Sequence, residues 1–188
     1  GLLKMDFLGL ANLTILGRAL EIIKETRGET IDLLNIPLED ARTFQMLGEG
    51  ETTALFQLEG SGVRRYIKEL KPTNVADLAA MVALYRPGPM ENIPTYIAAK
   101  HGQARVEYLH PLLEPILKST YGVMVYQDQV LFVVQAVAGY SMGKADILRR
   151  AMGKKIKEEM QKEQANFIAG AKKKGVPGET AVAIWNQI

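Results

Sequence analysis

The chain has 188 residues, 47% hydrophobic and 23% charged, with no cysteine and a formal charge of +2 at a pI near 8.7. This composition excludes a disordered chain, a disulfide scaffold and a thiolate metal site, and it fits a reducing compartment. The length suits one or two domains with a buried core. The longest apolar stretch, Val130 to Tyr140, is broken by Gln135 and falls well short of the ~20 residues that span a bilayer. No charged leader precedes an apolar run, so no signal peptide is expected.

Most of the chain reads as helix. Leu3 to Leu10 is a short apolar stretch holding one acid, Asp6, and reads as a strand end feeding the helix that follows. From Asn12 to Arg27, Leu13, Leu16, Leu20 and Ile23 recur at helical spacing, and Gly28 stands where a helix stops. Between Ile36 and Gly48, Pro37 suits a first helical turn and Gly48 a C-terminal stop. Thr53 to Leu58 reads as extended, and Ser61 as the cap of a helix through Leu70 that Pro72 ends. Asp77 to Tyr85 is apolar and helical until Arg86-Pro87-Gly88-Pro89 imposes a rigid turn.

Pro94 to His101 and Leu112 to Leu117 follow as short helices. Tyr121 to Tyr126, with β-branched and aromatic residues after a glycine-containing turn, is the best strand candidate. Asp128 to Ala138 reads as a central core helix. Ser141 can cap the next helix, through about Met152, with Gly153 breaking or bending it. Lys157 to Lys174 is a long polar helix, and Thr180 to Ile188 begins another. The expected fold class is therefore mainly α, with a few short strands. Both ends fall inside apparent structured elements, so the chain reads as a piece of something larger.

The near-neutral charge hides an asymmetry. Lys144 to Lys174 carries ten bases against four acids, a surplus of six, while the remainder has four acids in excess. A localised anionic partner would explain this; so would a solvated helix face. Within that stretch Arg149, Arg150, Lys154 and Lys155 cluster around Gly153, and Asp146 can pair with Arg150 one turn on. One acid cannot neutralise four bases. Guanidinium forks suit phosphate oxygens, and lysines add mobile charge, so a polyphosphate or nucleic-acid backbone is a reasonable ligand.

Asp6 in its apolar setting must be solvated, paired or metal-bound. Lys4 is one partner for it; a divalent cation is another, although two-metal sites need further carboxylates and none is evident nearby. His101 and His110 are too few and too far apart for a metal or triad constellation and read as structural. No glycine-rich nucleotide loop of the usual kinds is present.

Four segments in order, KMDFLGL at Lys4 to Leu10, YRPGPM at Tyr85 to Met90, YGVMVYQDQV at Tyr121 to Val130 and LRRAMGKK at Leu148 to Lys155, closely resemble the bacterial DNA polymerase III alpha subunits, the family-C replicative polymerases. The resemblance covers essentially the whole chain. It implies a fragment: residues 1–27 as the end of the catalytic palm, as a strand and helix, and 28–188 as an incomplete, largely helical fingers domain. Asp6 would be one of three metal-binding, catalytic aspartates holding two Mg²⁺ ions. Arg149 and Arg150 would face the triphosphate of the incoming deoxynucleotide, with Lys154 and Lys155 behind them. Arg86, Tyr126 and Gln127 are further candidates for nucleotide or DNA contact, although Arg86 equally suits capping the helix before it and Tyr126 a core position.

The implied partners are deoxynucleoside triphosphate, template-primer DNA and other replicative subunits, in the cytoplasm and not at a membrane. The isolated fragment is expected to be inactive. Read from its residues alone, the chain also fits a non-catalytic helical module that binds nucleic acid or protein through its basic helix.

Overall fold

The computed structural model describes residues 2–154 and 157–188. Among them there are helices and short 3₁₀ turns, and no strand. The first helix, α1 (Ala11–Arg27), ends where Gly28 takes a left-handed conformation at φ 70° and returns its N–H to Lys24 O. None of its residues is buried: Leu13, Ile15, Leu16 and Ile22 face solvent. Of the stripe legible in the sequence, Leu20 and Ile23 are only half-buried, and none of its residues joins either of the two apolar cores. The preceding Leu2 to Leu10 is irregular, not a strand, because no neighbouring segment pairs with it.

Four helices then build one apolar core. These are α2 (Ala41–Glu49), α3 (Ser61–Leu70), α4 (Val75–Leu84) and α5 (Ile93–Lys100). They bury Phe44, Leu47, Ile67, Leu70, Met81, Leu84, Ile93 and Tyr96 against one another. Their ends correct several sequence expectations. The α2 helix starts after Asp40, whose carboxylate accepts from the N–H groups of Arg42 and Thr43, so Pro37 lies outside it. It runs through Gly48 and stops at Gly50, φ 81°. Gly60 occupies the cap position of α3, with Ser61 as its first helical residue. Thr53 to Leu58 is a pair of turns closed by Leu55 N–H to Thr52 O and Leu58 N–H to Leu55 O.

The second core gathers α6 (Glu114–Leu117), α7 (Gln127–Ala138), α8 (Met142–Lys154), α9 (Lys157–Lys173) and α10 (Gly178–Trp185). Val133, Val134, Val137, Leu148, Phe167, Ile184 and Trp185 fill it. Ser141 caps α8 as its residue type suggests, accepting from Lys144 N–H. Gly153 lies within α8, which is described to Lys154, just past the expected end near Met152.

Tyr121 to Tyr126 joins the two cores and is the main correction. Its alternation is real: Tyr121, Val123 and Val125 pack on the first core, and Met124 on the second. It pairs with no strand because its donors are engaged locally. Tyr121, Gly122 and Val123 donate to carbonyls of Lys118, Leu117 and Thr120, and Val125 and Tyr126 donate to the side chain of Gln129. Tyr121 and Gly122 are moreover left-handed, at φ 53° and 83°, so the segment opens as a turn and cannot run as a strand from its first residue.

Candidate functional site

The α8 helix has two unlike faces. Ala145 and Leu148 are buried in the second core, which fixes the helix in place, and Ala151, three residues further on, is buried as well. Asp146, Arg149 and Arg150 lie away from that core. Arg149 donates through Nε and Nη2 to Asp146 Oδ1 at 2.9 and 2.7 Å, and Arg150 Nη2 reaches Oδ2 at 2.8 Å. The expected Asp146–Arg150 pair therefore exists, but one carboxylate serves both arginines. The hydrogen bonds from Arg149, with the charge of both guanidiniums, hold the Asp146 carboxyl below its ordinary range.

The cluster keeps a net positive charge, and the carboxylate engages only part of each guanidinium fork. The Arg150 side chain is 69% exposed and that of Arg149 41%. Each guanidinium thus keeps N–H donors that Asp146 does not engage. Lys155 lies outside the described residues. Lys154 is the last residue of α8, and its side chain also lies outside the described part.

The root of α8 is stiffened by aromatic and polar contacts. The Lys144 ammonium sits 4.0 Å above the centre of the Tyr140 ring. The Tyr140 hydroxyl donates to Glu163 Oε2 on α9 at 2.7 Å. Burial, followed by the hydrogen bond and charge of Glu163, pushes the Tyr140 hydroxyl pKa up.

The other sequence candidates are dispersed. The Arg86 side chain donates through Nε to Ala83 O at 2.9 Å, capping the end of α4 as one reading allowed, while staying exposed before the Pro87–Pro89 turn. Tyr126 occupies the cap position of α7 and is 37% exposed, so it is not a core strand residue; Gln127 beside it is also exposed. An open groove of about 830 Å³ runs along α7, lined by Ile116, Ser119, Tyr126, Asp128, Phe132 and Gln135 among others. Asp6 is 85% exposed and pairs with Lys4 at 3.5 Å. Among the described residues, no group of three or more histidines or carboxylates is placed to hold a metal. No hydrogen bond or ion pair among those residues links Asp6, Arg86 or Tyr126 to the arginines of α8.

Both histidines are structural, as their isolation suggests. His110 Nδ1 accepts from Leu112 N–H, and His101 Nε2 lies 3.0 Å from Glu69 O. Sequence reasoning missed Gln129 and a buried pair between Lys100 Nζ and Asp77 Oδ2 at 3.3 Å. The signal for both was a polar residue inside an apolar helical run, which has to find partners.

Comparison with known proteins fits this arrangement to a family. The family model described as the bacterial DNA polymerase III alpha subunit finger domain matches residues 12–175. Over its whole length the chain is 50% identical to the DNA polymerase III subunit alpha of Halalkalibacterium halodurans, covering 17% of that protein. It is 51% identical to the one from Thermus aquaticus, covering 16%, and 49% identical to the one from Staphylococcus aureus, covering 18%. The chain thus spans about a sixth of the length of these relatives. It belongs to the bacterial DNA polymerase III alpha subunit family, and it carries that family's finger domain.

Proposed function

We propose that this chain is the nucleotide-binding part of a replicative DNA polymerase, with residues 1–27 ending the palm and 28–188 forming most of the fingers. The observation that carries the reading is the two-faced α8. Buried alanines and a leucine anchor the helix, while Arg149 and Arg150 share one carboxylate and present the rest of their donors outward. Fixed cations of this kind stabilise charge that develops on the β- and γ-phosphates as the leaving pyrophosphate departs, without reorganising at the moment of reaction. Lys154 and Lys155 add two more positive charges to the same stretch of sequence. Arg86, Tyr126 and Gln127 border the nucleotide or the template-primer DNA. A replicative polymerase with these partners, and with further holoenzyme subunits, works in the cytoplasm.

Mg²⁺ is the implied metal. Hard oxygen ligands suit it, and the exposed Asp6 carboxylate, held only by a surface lysine, fits as one such ligand. The further carboxylates of a two-ion site would come from the parent polypeptide outside these 188 residues. When bound, the two ions would stabilise the attacking and leaving oxygens. Asp6 supplies one oxygen ligand to that arrangement, and the arginines of α8 act on the far end of the triphosphate.

The test is single-nucleotide incorporation by the parent polymerase. Arg149→Ala and Arg150→Ala should raise the KM for deoxynucleotide by about 10-fold or more, the size expected for loss of a charge-assisted contact. Asp6→Asn should abolish extension, and the isolated 188-residue chain should not extend primers at all. Near-normal extension by Asp6→Asn would remove Asp6 from the metal site. If the arginine variants lost only DNA affinity, with a steep salt dependence and no competition from triphosphate, the basic helix would be a duplex-binding element.

A further inference from the structure

Gln129 is 6% exposed in the first turn of α7, and every polar capacity of its amide is used. Oε1 accepts from Val125 N–H at 2.8 Å and Tyr126 N–H at 3.0 Å. Nε2 donates to Ile116 O at 3.2 Å and to Thr120 Oγ at 2.8 Å. The amide orientation follows from its partners, because the reversed group would set an NH₂ against two backbone N–H groups. Thr120, 2% exposed, passes the constraint on by donating from Oγ to Val123 O at 2.7 Å. One side chain therefore ties α6, α7 and the whole 121–126 junction between the two cores into one network.

A Gln at the third helical position that accepts from the N-cap N–H is an ordinary way to start a helix, and Gln129 makes that bond to Tyr126; its bonds to Val125, Ile116 and Thr120 go beyond it. A helix start is best capped by Ser, Thr, Asp or Asn, whose short side chains reach the first free N–H groups. Here the cap position holds Tyr126, bulky and 37% exposed, and the junction is fixed from within by a buried amide. The three bonds that a helix start does not require run to α6, to the turn after it and to the junction, so the same amide sets where the exposed Tyr126 stands.

We propose that Gln129 is a positioning residue for the nucleotide pocket. Its amide holds the 121–126 junction so that Tyr126 and Gln127 stay at the outward end of α7, where they meet the incoming nucleotide. This rests on the reading that Tyr126 and Gln127 border that pocket.

A double-mutant cycle in the full-length polymerase tests it, with KM for deoxynucleotide, kcat and Kd for primer-template measured for Tyr126→Ala, Gln129→Met and the pair. Gln129→Met keeps the volume and removes the hydrogen bonds. It should raise KM about 10-fold, since a small misplacement of a contact residue costs on this order. Its effect on primer-template Kd should stay within about 2-fold, and in the Tyr126→Ala background it should add less than about 2-fold to KM, because the side chain it positions is gone. Thr120→Val, which removes one partner of the amide, should give a smaller rise that Tyr126→Ala likewise absorbs, and it serves if Gln129→Met does not fold. A KM unchanged in Tyr126→Ala alone overturns the pocket reading and this inference with it. A KM raised in Tyr126→Ala, with the effect of Gln129→Met or Thr120→Val undiminished in that background, overturns only the role given to Gln129.

Discussion

Replacing Gly170 by alanine sets two effects of known sign against each other. Gly170 lies inside α9, where alanine is favoured over glycine by about 1 kcal/mol. A Cβ there would run into the carbonyl oxygen and carbon of Ala138, at the last turn of α7. That carbonyl cannot swing aside easily. The end of α7 is braced by Gly139 N–H on Gln135 O and by Lys174 Nζ on Ala136 O at 2.9 Å. Separating packed helices to admit a methyl costs about 1–3 kcal/mol, which cancels or outweighs the propensity gain. Gly170→Ala should therefore leave the second core no more stable, and destabilise it by up to about 2 kcal/mol. Gly143→Ala, where a Cβ meets nothing within 4 Å, should be neutral or stabilising by up to ~1 kcal/mol. Trp185 is the only tryptophan and packs on Phe167 of α9 with ring centroids 5.4 Å apart, so its fluorescence in a denaturant titration reports this core directly. Equal upward shifts of the midpoint for both variants would refute the close-packing argument.

Lys100→Met should cost about 3–5 kcal/mol, measured by the same titration followed by circular dichroism, because it strands the Asp77 carboxylate at 3% side-chain exposure. Only Thr73 N–H and Oγ and the Asn74-capped start of α4 would remain around it. Alkaline stability should be limited by Tyr96 and Tyr140. Burial, with the charge of Asp77 near Tyr96 and the hydrogen bond of Glu163 at Tyr140, raises both hydroxyls above their ordinary value of 10.0. The unfolded chain then loses these protons first, so the stabilisation is intact below about pH 10 and is lost as pH rises beyond it. Thermal melts across that range should fall less steeply for Tyr140→Phe, and an unchanged slope would remove Tyr140 from the account.

Much of the fold was legible in the amino acids, for reasons that the structure makes plain. Apolar periodicity located the helices, and left-handed glycines such as Gly28 marked stops. Helix starts were less legible because caps depend on which side chain reaches which N–H: Asp40 does so for α2, where Pro37 looked the better start. The 121–126 segment alternates like a strand because it lies between two cores, and periodicity cannot tell that from a sheet. What decides it is Gln129, whose partners lie on α6 and the junction. At the site, charge clustering found α8, but a Lys- and Arg-rich helix is equally compatible with a solvated face. The four ordered motifs point to the family, while the sharing of Asp146 by both arginines emerges only in the folded helix.

The central claim is that Arg149 and Arg150 hold the triphosphate. The direct measurement is equilibrium binding of the correct deoxynucleotide to the parent polymerase on a primer-template with a non-extendable 3′ end, beside the Kd for the DNA itself. Arg150→Ala should weaken nucleotide binding by about 10-fold or more, the cost of a lost charge-assisted contact, and leave DNA binding within about 2-fold. An unchanged nucleotide Kd with weakened DNA binding would contradict the account and assign this face of α8 to the duplex.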